Sequence, residues 1–270
     1  MDRLAATRMT NTPIDQDSVR SVVESHGLDW RYQEQTGSTN SDALEFFSQN
    51  QCELVVFAET QSAGRGRRGR QWLSPYAQNI YCTLGLVKSM PVAQQGLLSI
   101  VTGLALSRSL ESSCGLSPQL KWPNDLLVDG RKLGGILIES RPKQSVNEQF
   151  YAIGFGLNVF LDEDVINAIE QPATSLHLLT EQLPDRSQVL VAAIDEVVCA
   201  IRTFDVSDVG RLTCEFSRFD VFHDRPVELV TTHDCIAGIN RGIDPSGALR
   251  LETQSGIESY PAAEISLVSR

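Results

Sequence analysis

This sequence predicts an α+β domain followed by a small β-barrel. Strand-like and helix-like stretches alternate irregularly, with hairpin signals between them. No βαβ unit repeats, which disfavours a doubly wound parallel sheet. From about Pro226 the texture changes to short apolar stretches separated by turns, "VELVTT", "CIAGINRGID", "ALRLET", "IESY" and "EISLV", a pattern of small barrels. The length of 270 residues, 41% of them hydrophobic, suits one large domain with its own core plus a small one.

The elements follow in order. Residues 18–27 read as a helix and "WRYQEQ" as a short strand. "GSTNSDALEFF" offers Ser38, Thr39 or Asn40 as N-cap of a short helix. "ELVVFAET" and "NIYCTLGLV" are buried strands, and "GLLSIVTGLALSRSL" has the apolar width of a core helix. "QLKWPNDLLVDGRKLGGILIES" predicts a strand, a turn and a hairpin about Asp129-Gly130, a dipeptide that favours tight turns. "QFYAIGFGLNV" is a further strand, and residues 187–204 and 206–219 are two helices.

Composition excludes several classes of function. A net charge of -11 opposes general binding to nucleic acid or anionic membranes. No apolar run is long enough to cross a bilayer, and the polar start does not resemble a signal peptide. Residues 1–20 are expected to be a flexible end. The six cysteines form no CxxC pair, which points to free thiols of a reducing cytoplasm.

Against this acidity stands "ETQSAGRGRRGRQWLSP". Arg65, Arg67, Arg68 and Arg70 and the glycines Gly64, Gly66 and Gly69 fall within residues 64–70. Glycines admit a ligand close to the backbone, and guanidinium forks match carboxylate and phosphate oxygens. Four like charges on such a loop repel until an anion arrives, so the loop is expected to be mobile without ligand. Alone, the loop equally suits a solvated basic turn or an RGG-like RNA contact.

In "KWPND", Lys121 and Trp122 end a strand that Pro123 terminates, and Asn124 and Asp125 begin a turn. The chain has only four lysines; Lys121 is one, and Lys132 in "RKLGGIL" is another. A strand-end lysine suits developing phosphate charge, and it equally suits a plain surface turn. The paired glycines of "KLGGIL" and "GFGLN" weaken a strand unless something approaches its backbone closely. None of the four histidines has partner spacing for catalysis or a metal.

The ordered set "GSTN", "ETQSAGRGRRGRQWLSP", "KWPNDLL", "KLGGILIE" and "GFGLNV" resembles the biotin protein ligases, over roughly residues 30–270. The resemblance implies a central mixed sheet with flanking helices, the class II synthetase-like plan, over residues 21–222, and an SH3-like barrel over 223–270. It implies two-step chemistry. Biotin and Mg-ATP give biotinyl-5′-AMP and pyrophosphate, and a lysine of a biotin carboxyl carrier protein then takes the biotinyl group.

The same resemblance assigns residues. Ser38, Thr39, Asn40 and Gln61 would serve the biotin ring, with Gly135 and Leu137 as a backbone wall. Gly64, Arg65 and Arg67 would hold carboxylate and phosphate. Lys121 would stabilise charge at the α-phosphate, and Lys132 would hold the mixed anhydride. Arg68, Arg70 and Asn124 would contact the nucleotide, Trp72 would stack on adenine, and Asn158 would serve ATP and magnesium.

Family members that double as repressors carry a winged helix before the ligase. Only residues 1–31 precede Tyr32 here, so no DNA-binding function is expected. The expected acceptor is the carrier domain of acetyl-CoA carboxylase or a related carboxylase, and a homodimer is a further possibility. Some members carry a basic residue after "EISL", where this chain has Val268, with Arg270 two positions later. Two alternatives share the pocket chemistry. A lipoate or octanoyl transferase would show a "GGG" segment with a nearby histidine, and a non-catalytic biotin sensor would not need Lys121.

Overall fold

The computed structural model describes residues 12–143, 148–162, 165–166, 171–231, 234–261 and 263–267. Helix α1 (Gln16–Ser25) leads into β1 (Asp29–Thr36), α2 (Thr39–Asn50), β2 (Leu54–Gln61) and β3 (Ile80–Ser89). Helix α3 (Leu97–Cys114) precedes β4 (Gln119–Lys121), β5 (Asp125–Val128), β6 (Arg131–Pro142) and β7 (Glu148–Leu157). Then come α4 (Leu176–Leu179), α5 (Arg186–Thr203) and α6 (Val209–Phe219), followed by β8 (Pro226–Val230), β9 (Cys235–Ile243), β10 (Leu249–Thr253), β11 (Gly256–Tyr260) and β12 (Glu264–Leu267).

Strands β1 to β7 form one seven-stranded sheet in the order β1-β2-β3-β7-β6-β5-β4. Only β1 and β2 pair in parallel; every other neighbour is antiparallel. The sheet is therefore mixed, as expected. Asp129 and Gly130 join β5 to β6 with both φ angles positive, 50° and 73°, the backbone a two-residue hairpin requires.

Helices cover both faces. On one, α3 is buried along nearly its whole length and packs with α5 in the main core, ending at Gly115 in the left-handed region with φ 67°. On the other, α2 buries Ala43 and Phe47 against Leu54, Val56, Phe150 and Ala152. The Phe47 and Phe150 rings stack with centroids 4.0 Å apart.

Two expectations need correction. Residues 12–20 are not a loose end. Ile14 is buried, and its amide donates to Glu59 Oε1 at 2.6 Å. Arg186 pairs with Glu59 at 2.7 Å and also donates to the Thr12 carbonyl. Asp15 caps α1, whose Val19 and Val23 enter the core. A buried carboxylate and an apolar helix face thus hold this segment. Residues 1–11 lie outside the described residues.

Second, the C-terminal strands form an antiparallel sheet in the order β11-β10-β9-β8-β12. Among the described residues its outer strands are not paired with each other, so no barrel closes. Its apolar face (Val227, Leu229, Leu249 and Leu251) belongs to the same core as the large sheet, and Trp122 Nε1 donates to the Gly247 carbonyl at 3.0 Å. That shared core holds β12 beside the mouth of the large domain's cleft.

Candidate active site

One cleft gathers the start of α2, the ends of β2 and β4, the middle of β6 and β7, the arginine loop and β12. At its inner end is a neutral polar cluster. Gln61 Oε1 accepts from Thr39 N at 3.0 Å and lies 3.3 Å from Thr39 Oγ1. Thr83, on β3, lies 2.8 Å from Thr39 Oγ1 and 2.6 Å from Asn40 Oδ1. Asn40 Nδ2 donates to the Leu137 carbonyl at 3.2 Å and to Glu139 Oε2 at 2.8 Å. Ser38 caps α2 without a side-chain capping bond and lines the cleft.

The glycines of β6 and β7 make room. Gly135 and Gly156 are register partners. A Cβ on Gly156 would stand 2.6 Å from the Trp72 indole, and one on Gly135 would stand 3.2 Å from it. The indole therefore lies on a glycine floor in the cleft, with its buried Nε1 unpartnered among the described residues. A Cβ on Gly154 would collide with the Asn40 amide.

At the outer end the charges are sorted. Lys132 Nζ pairs with Asp125 Oδ1 at 2.8 Å and lies 5.5 Å from the centre of the Trp72 ring. Arg65 donates to Glu139 at 3.0 Å and to Ser41 Oγ at 2.9 Å. Arg70 lies 2.7 Å from the Glu264 carboxylate and Arg68 lies 3.6 Å from it. Two carboxylates of the chain itself thus offset the like-charge repulsion expected of the loop.

Lys121 and Arg67 are different. Both are partly buried in the cleft wall, and neither makes a side-chain hydrogen bond or ion pair among the described residues. Burial pushes the Lys121 ammonium below its ordinary pKa, an effect that Asp125 opposes and Lys132 reinforces. Burial also lowers Arg67, with Arg68 adding to it and Asp125 and Glu264 opposing it. Two partly desolvated cations with no direct ion pair among the described residues form a site for an anion.

The cleft thus unites Ser38, Thr39, Asn40, Gln61, Arg65, Arg67, Arg68, Arg70, Trp72, Lys121, Asn124, Lys132, Gly135 and Leu137. Gly64 and Asn158 are corrections. Gly64 is packed behind the wall, where a Cβ would stand 2.6 Å from the Trp72 carbonyl, so it permits the loop's fold without facing the cleft. Asn158 is buried away from the cleft, and its amide donates to the carbonyls of Lys132 and Thr174. It braces β6 and does not fit a metal. The amide of Asn124 donates to the Ile136 carbonyl at 2.8 Å, tying its turn to β6. Val268 and Arg270 lie outside the described residues.

Sequence reading missed Thr83, Asp125, Glu139 and Glu264. Asp125 stands in "KWPND", where the local pattern marks it only as a turn residue. Glu139 ends "KLGGILIE" and Glu264 begins "EISLV", but neither these stretches nor the neighbours of Thr83 show what each side chain meets across the fold.

Residues 32–158 match the Biotin/lipoate A/B protein ligase family, which leaves the vitamin open. Residues 222–268 match the biotin protein ligase C terminal domain. The biotin--[acetyl-CoA-carboxylase] ligase of Mycobacterium tuberculosis is 34% identical, over 89% of this chain and 90% of that protein. The chain belongs to the biotin protein ligase family. Among other biotin protein ligases, the bifunctional ligase/repressor BirA of Salmonella typhimurium is 35% identical over 86% of this chain and 72% of its own. The solved biotin protein ligase from Aquifex aeolicus, in complex with biotin and ATP, superposes with a TM-score of 0.71 at 25% identity, over 88% of this chain and 97% of that one.

Proposed function

We propose that the chain is an ATP-dependent biotin ligase, with Lys121 and Arg67 facing the phosphate. The observation that carries this reading is the pair of partly buried cations with no direct ion pair among the described residues, in the same cleft as a buried neutral polar cluster. A ureido ring has donors and acceptors that must be paired when buried, and Ser38, Thr39, Asn40 and Gln61 supply both kinds, with Thr83 behind Thr39 and Asn40. Trp72, on its glycine floor, offers a flat face to a nucleobase.

In the first step the biotin carboxylate oxygen attacks the α-phosphorus of ATP. The bond to the β-phosphate breaks and pyrophosphate leaves. Negative charge grows on the α-phosphate oxygens, where preorganised Lys121 and Arg67 act most strongly. In the second step a lysine amine attacks the acyl carbon. The acyl–phosphate bond breaks, AMP leaves with the electron pair, and the amine loses its proton. Lys121 stands near the same phosphate in both steps.

Magnesium fits this site only as a companion of the nucleotide. Asp125 is paired with Lys132, and Glu264 with the loop arginines, so the side chains offer it no free carboxylate. Mg2+ commonly keeps its waters and is held through substrate phosphates. The acceptor we propose is a biotin carboxyl carrier domain of acetyl-CoA carboxylase or a related enzyme, in the cytoplasm. The charge of -11 argues against DNA as a further partner. No described helix is long and apolar enough to cross a membrane.

Labelled biotin, ATP and an apo-carrier domain test the reading directly. Covalent label on the carrier lysine is expected, and it should depend on both ATP and Lys121. ATP-independent binding without transfer would favour a sensor, and labelling by lipoate in place of biotin would favour the lipoyl alternative.

A further inference from the structure

Arg65 does not sit as an anion ligand sits. Its guanidinium reaches the rim of the cleft, where Nη2 donates to both oxygens of Glu139, at 3.2 and 3.0 Å, and Nη1 donates to Ser41 Oγ at 2.9 Å. Glu139 lies on β6 and Ser41 on α2, so one side chain joins the loop to two elements of the rigid domain. Arg68 and Arg70 meet Glu264 of β12 on the other side. Three of the loop's four arginines therefore have carboxylate partners within the chain. The fourth, Arg67, has no direct carboxylate partner among the described residues and lines the cleft.

We infer that Glu139 is the positioning residue that holds the arginine loop closed over the cleft, with Arg65 as its partner. The inference rests on the ligase reading. Glu139 also ties this latch to the pocket, because its Oε2 accepts from Asn40 Nδ2 at 2.8 Å. Asn40 in turn touches Thr83 and the Leu137 carbonyl. The side chain that faces the ring end of the cleft thus shares a carboxylate with the loop's anchor.

The physical consequence is a division of labour. A charge-assisted contact is directional and holds a backbone in one place. Its loss frees a glycine-rich segment whose ordering costs entropy. Lys121 ends β4, outside the loop, and acts on charge at the phosphate from there, while Arg67 is carried by the loop itself. Glu139 therefore governs how long the loop stays shut over the activated intermediate, and the rate of its formation depends chiefly on Lys121.

The test uses the full chain and three variants: Glu139→Gln, Glu139→Arg, and the swap of Arg65→Glu with Glu139→Arg. Biotinyl-adenylate is formed from labelled biotin and ATP, then chased with unlabelled biotin. Escape of label is followed beside the single-turnover rate of adenylate formation. Glu139→Gln keeps an oxygen for Asn40 but loses the charge, and should speed escape about five- to tenfold, as loss of a partly exposed charged pair allows. Glu139→Arg should leak faster still, and the swap should return escape to within about threefold of the parent, as a restored pair does in a double-mutant cycle.

Formation should change far less than escape in Glu139→Gln. A swap that leaks as fast as Glu139→Arg would overturn the latch, as would Glu139→Gln with parental escape. If the parent forms no adenylate, the ligase reading itself fails, and the latch is read without ligand. Trypsin should then cut after Arg65–Arg70 faster in Glu139→Gln than in the parent, and equal cutting would overturn it.

Discussion

The ammonium of Lys132 lies 2.8 Å from Asp125 Oδ1, with both side chains mostly buried, while Lys121, two strands away, has no ion pair among the described residues. The two lysines of the cleft therefore do different work. Lys132 is neutralised and fixed, and Lys121 is held ready for an incoming anion.

Lys121 should trade stability for chemistry. Burial lowers its pKa in the fold, so the unfolded chain binds its proton more tightly. Its charge then opposes folding at neutral pH, and this opposition fades as pH rises through the lowered pKa. Lys121→Met should raise the melting temperature by about 1–3 °C, the scale expected when such a functional cost is removed. It should also slow adenylate formation about 10²–10³-fold with biotin affinity nearly unchanged, as loss of a transition-state donor does. Calorimetry and single-turnover kinetics check the two halves, and a lower melting temperature would contradict the first.

Removing the charge of Asp125 should move a pH profile. Asp125 raises the pKa of Lys121 against burial, and Lys132 lowers it. Asp125→Asn leaves both lysines without that carboxylate, so Lys121 should lose its proton at lower pH. The alkaline limb of adenylate formation should shift toward acid. An unmoved limb would mean that Lys121 is not the group titrating there.

The two β7 glycines should separate the halves of the pocket. Gly156→Ala places a methyl group 2.6 Å from the Trp72 indole, so the Michaelis constant for ATP should rise more than the dissociation constant for biotin. Gly154→Ala drives into the Asn40 amide and should reverse that order. Biotin titration and ATP saturation curves on both variants decide it, and identical profiles would sink the assignment of the two ends.

Arg186 and Glu59 form an ion pair, with side-chain exposures of 7% and 0%. Arg186→Met should lower unfolding stability by about 3–5 kcal/mol, since it strands a buried carboxylate. It also removes the Thr12 carbonyl's donor. Denaturant titration measures the loss, and proteolysis before Gln16 should increase with it. A loss under about 1 kcal/mol, the range of exposed pairs, would show that the pair is solvated.

Much of the fold was legible because its signals are local. Apolar runs placed β2, β3 and β7, and α3 showed the apolar width of a buried helix. Asp129-Gly130 marked a hairpin through the φ angles that those two residues accept. The arginine loop, the strand-end lysine and the paired glycines were visible for the same reason. Each is a demand on backbone or charge written within a few neighbouring residues.

What only the tertiary structure decided lies across long separations in the chain. Glu139 meets Arg65, Glu264 meets Arg70, and Glu59 meets both Ile14 and Arg186. Nothing beside Asn158 in the chain reveals that its amide braces β6 instead of facing a ligand. Nor does any feature near Ile14 show that residues 12–20 are anchored. Residue type and local pattern determine which groups could bind an anion. Which of them remain free to do so depends on the partners that folding brings within hydrogen-bond reach, because a buried charge is neutralised by whatever lies beside it in space.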